Sequence, residues 1–244
     1  MNFIKLKMEL HCHTDFDPAD WIGYSAHQLI DAAARQGIGV LAVTCHRALQ
    51  WSKALAEYAE AAGVLLIPGV EADIEGKHVL IYGLERFHHP MSFRQLRDLR
   101  RLNPAILAIA PHPFYPAGSC LGQKLFEYRD CFDAVEYSHF YTRHINFNDK
   151  AVAAARTLQK PLVGTSDIHF LAQIGKTTST VTVPERSFAA VSAAIKSGKV
   201  ELHTKPLPWL ELSSQILKMN WMSTKSFLRR RGLLTQRHVS VQNI

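Results

Sequence analysis

The sequence is poor in cysteine: its four, at positions 12, 45, 120 and 131, form no Cys-x-x-Cys pair. That excludes a disulfide scaffold and a cysteine-built zinc finger. No run of 18 apolar residues occurs, and Lys5 and Lys7 interrupt the apolar positions of residues 1–10, so neither a membrane span nor the apolar core of a signal peptide is read and a soluble, cytoplasmic protein is expected. Gly/Ser linkers and internal repeats are missing, as are Walker and Gly-x-Ser-x-Gly patterns, which removes phosphate-loop and serine-nucleophile enzymes from consideration. Acidic residues are absent from 218–244, a stretch that holds six Lys or Arg (Lys218, Lys225, Arg229, Arg230, Arg231 and Arg237), while residues 1–217 balance 22 basic against 21 acidic side chains. The net charge of +7 therefore belongs to a tail.

What is present is a chain of 244 residues, 47% hydrophobic and 20% charged, enough for one sizeable core. Apolar runs at 6–11, 40–44, 64–70, 78–82, 106–110, 134–137, 162–165 and 178–183 read as strands. Helical patterns fall between them at 26–36, 52–62, 92–101, 148–158 and 187–197. Such alternation predicts a mainly parallel α/β sheet, with a closed or nearly closed barrel ahead of an open doubly wound one. A break at Lys205-Pro206-Leu207-Pro208 divides the chain into a barrel, 1–208, and an extension, 209–244. Residues 209–230 read as an amphipathic helix that docks through Leu210, Leu217 and Trp221.

Several apolar runs end in an imidazole or a carboxylate. His11-Cys12-His13 closes the first, and on an extended chain its two histidines share a face. Thr44-Cys45-His46 closes the second and Gly69-Val70-Glu71 the third. Ala110-Pro111-His112-Pro113 and Ser166-Asp167-Ile168-His169 follow later runs. With 13 histidines in the chain, one His-x-His carries little weight. Five strand ends that deliver His, Glu or Asp to the same rim of a parallel barrel would bury many polar groups, and metal ions or substrate would have to answer them. So many ligands exceed one four-coordinate ion and imply two or three, with mixed imidazole and carboxylate donors favouring Zn, Mn or Fe over Mg or Ca.

Taken in order over residues 6–200, these segments resemble the polymerase and histidinol phosphatase (PHP) family of metal-dependent phosphoesterases. The resemblance implies a distorted (β/α)7, TIM-like barrel, with two or three divalent metal ions and phosphoester hydrolysis. It places His11, His13, His46, Glu71, His112, Asp167 and His169 among the metal ligands, and adds His78, before the apolar run 79–82. The family also has an acid or histidine in the loop after His13, where Asp17 and Asp20 are joint candidates. The family's Thr-Asp-His reads Thr44-Cys45-His46 here, and strand alternation turns Cys45 away from the metals.

The expected chemistry is attack of metal-bound hydroxide on phosphorus. Asp167 and His169 are the catalytic candidates, with proton delivery from His169 or His139. Arg143, Lys176 and His139 are candidates for binding the phosphate. Glu136, at the end of an apolar run, is placed to orient a ligand or to contact substrate, whereas Cys120 and Cys131 read as ordinary small residues. The preferred substrate is a small phosphomonoester. Two alternatives stay open: a nuclease that uses residues 218–244 against an oligonucleotide or another anionic surface, and a non-catalytic metal-binding or partner-binding barrel, raised by Cys45.

Overall fold

The computed structural model describes residues 3–235, so Arg237 and the rest of the basic tail's last nine residues lie outside the described residues. Strand β1 (Ile4–Glu9) leads to α1 (Ala26–Arg35), β2 (Val40–Val43) and α2 (Lys53–Ala61). A hairpin of β3 (Leu65–Ile74) and β4 (Lys77–Tyr82) follows, then α3 (Phe93–Leu102), β5 (Leu107–Ala110), the single turn α4 (Lys124–Glu127) and β6 (Ala134–Ser138). The chain continues through α5 (Asn148–Leu158), β7 (Leu162–Thr165), β8 (Thr177–Val183), α6 (Phe188–Lys196), β9 (Val200–Thr204) and the long α7 (Trp209–Arg230). Four helix starts share one device: Ser25, Ser52, Ser92 and Ser187 each accept a backbone N–H from the first turn, which satisfies a donor the helix cannot pair internally.

The nine strands form one sheet in the order β7-β6-β5-β4-β3-β2-β1-β8-β9, and its ends curl toward each other. Ser179 Oγ accepts the Gly164 N–H at 2.7 Å, and Ser166 Oγ donates to Thr177 O at 2.9 Å, linking β7 and its following turn to β8. The result is a nearly closed, distorted barrel with apolar residues packed inside it and between it and the helices.

The expectation of a mainly parallel sheet is corrected. Of the eight strand pairings, β1–β2, β2–β3, β5–β6 and β6–β7 are parallel, and β3–β4, β4–β5, β1–β8 and β8–β9 are antiparallel. The cause is local. Glu75 and Gly76 both take positive φ, 52° and 75°, which is the geometry that reverses a chain in two residues. β3 thus runs on to Ile74 and folds back as β4, with no helix between. β9 was not read from the sequence, because its side chains alternate between half-buried and exposed and give no apolar run.

Helix α7 spans 209–230 as expected, but the face expected to dock is the outer one. Leu210, Leu217 and Trp221 are 87%, 69% and 62% exposed, while Leu212, Gln215, Met222 and Ser226 are buried. Two of the four inward residues are polar because they hydrogen-bond to the barrel, so a purely apolar count selected the wrong side. No helix among the described residues is long and apolar enough to cross a membrane.

Candidate metal centre

Beyond β1, residues Cys12 and Ile168 form a bridge, which extends the strand so that His11 and His13 face the same way. Each ring is held from behind by a carboxylate. His11 Nδ1 donates to Glu136 Oε1 at 2.8 Å, and His13 Nδ1 donates to Asp17 Oδ2 at 2.8 Å. An ionised carboxylate only accepts, so the proton lies on Nδ1 and the lone pair on Nε2 points forward. His46, past the end of β2, is held the same way by Asp17 Oδ2 at 2.9 Å. His112 Nδ1 lies 3.4 Å from Cys120 Sγ. Cys120 therefore touches a ring of the site and is more than an ordinary filler.

These rings converge on Glu71, in the middle of β3. Its Oε2 lies 3.2, 3.4 and 3.1 Å from Nε2 of His11, His13 and His46, and its Oε1 lies 2.7 Å from His78 Nδ1 and 3.3 Å from His112 Nε2. Asp167 Oδ1 forms a second focus, 3.3 Å from Nε2 of both His11 and His13 and 3.4 Å from His169 Nδ1. His169 Nε2 in turn lies 3.2 Å from Asp20 Oδ2. All the ligand candidates named from the sequence, including His78, thus meet in one cluster. Asp17 and Asp20 are both within it, although on different sides of the rings.

The charges are mutually dependent. Burial alone would raise the Glu71 carboxyl, but His78, His46 and His11 outweigh it and hold Glu71 well below the usual carboxylate range. Burial opposes ionisation of Asp167 too, and His11 and His169 reverse it. Burial also disfavours the charged form of His169, yet Asp167 and Asp20 pull it up to about 10. Four buried atoms, His11 Nε2, His13 Nε2, His78 Nδ1 and Asp167 Oδ1, make no hydrogen bond despite these short separations. Lone pairs that face one another across about 3 Å need a cation between them, either protons or metal ions. The donor set therefore fits a metal cluster. Three overlapping triads, His11–His13–Glu71, His46–Glu71–His78 and His13–Asp167–His169, each gather their ligand atoms within 4.8 Å.

Two cluster residues, His112 and Asp167, are non-glycine residues at positive φ, 27° and 45°. Such conformations persist where surroundings over-determine them. Here Glu136 Oε2 accepts the His112 N–H at 2.6 Å, and Ile168 N–H donates to His11 O at 2.9 Å beside Asp167. Glu136, fully buried, also accepts from Thr165 Oγ1. Cys45 is buried in the apolar cluster that includes Cys12, Ile22 and Leu55, with its Sγ 3.4 Å from Thr14 Oγ1.

The cluster opens into a cavity of about 340 Å³ whose wall includes Asp20, His46, Glu71, His112, Asp167 and His169, with Tyr115, Phe140 and Met219 on its apolar side. His139 borders it, its Nε2 3.0 Å from Gln215 Oε1. The two other residues expected at a phosphate are not brought here. Arg143 is exposed outside the cavity lining, and Lys176 is drawn outward by Glu211 of α7, at 2.9 Å, toward a separate depression. His27 packs on Tyr58, His203 meets Thr180, and His88 and His89 are exposed, all away from the cluster. Sequence reasoning passed over Gln173 and Gln215, which carry no motif; their role comes only from side-chain contacts that folding creates.

Residues 9–164 match the PHP domain and residues 146–200 the PHP-associated family. No curated protein matches the sequence. Among solved structures, a two-domain protein from Bacteroides vulgatus, described as containing a predicted PHP-like metal-dependent phosphoesterase, superposes with a TM-score of 0.63 at 19% identity. The match covers 83% of this chain and 65% of that one. PsfC from Pseudomonas syringae gives 0.58 at 18% identity, over 96% of this chain and all of the other. The lesion-specific endonuclease Q of Pyrococcus furiosus gives 0.57 at 15% identity over 82% of this chain, which spans 58% of that protein's length. At such identities the likeness establishes the fold; the domain match, over most of the chain, makes this protein a member of the PHP domain family.

Proposed function

We propose that this protein hydrolyses a small phosphomonoester. The carrying observation is the set of orphaned ligand atoms around Glu71 and Asp167, opening into a cavity of about 340 Å³, the small end of the range for small-molecule sites. His11, His13, His46, Glu71, His78, His112, Asp167 and His169 would hold two or three divalent ions, with Asp20 as the acid from the first loop. Asp17 is the poorer ligand, because hydrogen bonds from His13, His46, Ala19 and Asp20 already occupy both its oxygens; it orients rings instead. Zn, Mn and Fe suit this mixture of imidazole and carboxylate. When bound, such ions lower the pKa of water and neutralise charge on a phosphoryl group.

The chain's own residues do the rest. Asp17 and Glu136 keep the rings of His13, His46 and His11 aimed forward. Asp167 and His169, on the cavity wall, act at the reacting centre. Tyr115, Phe140 and Met219 limit access of bulk water. Residues 1–208 form the catalytic barrel in this reading and 209–244 its extension. Protein reloaded with Zn, Mn or Fe should release phosphate from an aryl phosphate, with the activity lost in His11→Ala and Asp167→Ala. Absence of turnover across these metals and a range of phosphomonoesters would refute it.

The nuclease reading is favoured by one feature, the cationic helix α7 beside the Asp20 loop, and by the fold shared with endonuclease Q, one of whose structures is described as a complex with a duplex substrate carrying an abasic lesion. Against it, Arg229 and Arg230 point at backbone carbonyls of that loop, which leaves them less available to phosphates. Salt-sensitive cleavage of an oligonucleotide, weakened in Lys218→Ala/Lys225→Ala, would support it.

A further inference from the structure

Helix α7 begins beyond both matched family segments, which end at 164 and 200, yet it lies across two walls of the site. Its last turns grip the loop that carries Asp17 and Asp20 almost atom by atom. Arg229 Nη1 donates to Asp17 O at 3.2 Å and Nη2 to Pro18 O at 2.8 Å. Arg230 Nη1 donates to Ala19 O at 3.3 Å. Ser226 Oγ accepts the Trp21 N–H at 2.8 Å and passes its own proton to Met222 O at 2.9 Å. Lys225 Nζ stands 5.5 Å from the centre of the Trp21 ring. The backbone on both sides of Asp20 is thus tied to α7, while the Asp20 side chain reaches His169.

The first half of the helix holds the neighbouring segment, which carries His169. Gln173 Oε1 accepts the backbone N–H groups of His169 and Phe170 at 2.7 and 2.8 Å, which turns its amide nitrogen to Gln215 Oε1 at 3.3 Å. Gln215 Oε1 then also receives His139 Nε2–H at 3.0 Å. A guanidinium that bridges successive carbonyls fixes a loop more firmly than an ammonium, because its donors form a rigid fork.

We propose that α7 is a strap that completes the metal centre, with Arg229 and Ser226 as positioning residues that hold Asp20 against His169. This rests on the reading of the cluster as a metal site but not on phosphoester chemistry, since its readout is metal binding. The full chain, stripped with a chelator, is titrated with Zn(II) by calorimetry, with thermal melting of the same samples. Arg229→Ala is expected to weaken the Asp20-side ion about 10- to 100-fold, Arg229→Lys to recover only part of that, and Ser226→Ala to act in the same direction. Because the effect passes through Asp20, Arg229→Ala combined with Asp20→Asn should bind no more weakly than Asp20→Asn alone. Additive losses, unchanged zinc affinity with a lowered melting temperature, or an Asp20→Asn protein that binds zinc normally would each overturn the proposal. If Arg229→Ala fails to fold, Ser226→Ala and Arg229→Lys carry the same test. Zinc binding that behaves as expected without any phosphatase activity would instead refute the proposed reaction and leave the strap intact.

Discussion

Asp17 Oδ2 accepts two hydrogen bonds from one residue, His46: the backbone N–H and Nδ1–H, each at 2.9 Å. A third comes from His13. One buried carboxylate therefore joins the ends of β1 and β2 and sets the direction of two rings. Burial would raise its pKa, but His13 and His46 outweigh burial and hold it far below the usual carboxylate range.

Asp17→Ala and Asp20→Ala should fail differently. Without Asp17 two rings lose their acceptor, so metal affinity should fall about 10- to 100-fold and the melting temperature should drop with it. Without Asp20, which borders the cavity, bound metal should fall with little change in melting. Metal content after dialysis, read beside calorimetric melting, separates the two, and the reverse pattern would exchange their roles.

Glu136→Gln keeps the shape of the side chain but sets an amide N–H₂ against one of three donors: His11 Nδ1, the His112 N–H and Thr165 Oγ1. Hydrogen bonds to a charged partner are worth about 1.5–3 kcal/mol each. The variant should lose at least tenfold in kcat/KM on an aryl phosphate and melt earlier. Wild-type values in both would show that Glu136 does not aim His11.

Gly164→Ala tests the closing of the barrel. A Cβ there would lie 2.2 Å from Leu202 Cδ1, 2.9 Å from Thr177 Cγ2 and 3.0 Å from Thr178 O. The last is backbone and cannot swing aside. A destabilisation of about 1–3 kcal/mol is expected in urea unfolding, as for overpacking generally. No loss would mean that β7 stands off from β8 and β9.

Glu9, fully buried beneath the cluster, is pushed up to about 8 by burial, against the pull of its hydrogen bonds from Ser166. Its folded-state pKa exceeds the ordinary 4.5, so the folded chain keeps a proton that the unfolded chain has released. That contribution to stability is complete below pH 4.5 and is lost as pH rises through 8. In metal-free protein, Glu9→Gln should remove this loss, with a slope of at most about 1.4 kcal/mol per pH unit for one proton. Parallel pH–stability curves for variant and wild type would refute the shift.

The ligand set was legible in the sequence because strand ends in a barrel share one rim. His11, His46, Glu71, His112 and Asp167 each follow or lie within an apolar run, so the periodicity that marks the run also marks its functional end. Strands β4 and β8 were misread in direction and β9 was missed, because pairing direction is set by turns such as Glu75-Gly76 and by distant partners, which hydrophobic period does not record. Arg143 and Lys176 are suggested by their place in loops that follow strand ends, but a single ion pair to Glu211, 35 residues further along the chain, takes Lys176 elsewhere. By itself the sequence determined which chemistry gathers: imidazoles and carboxylates at strand ends, around positive charge. Only the tertiary structure decided which acid aims a ring and which faces the cavity, and that the inner side of α7 is partly polar. Those outcomes depend on hydrogen bonds between segments as much as 212 residues apart, and no local pattern encodes them.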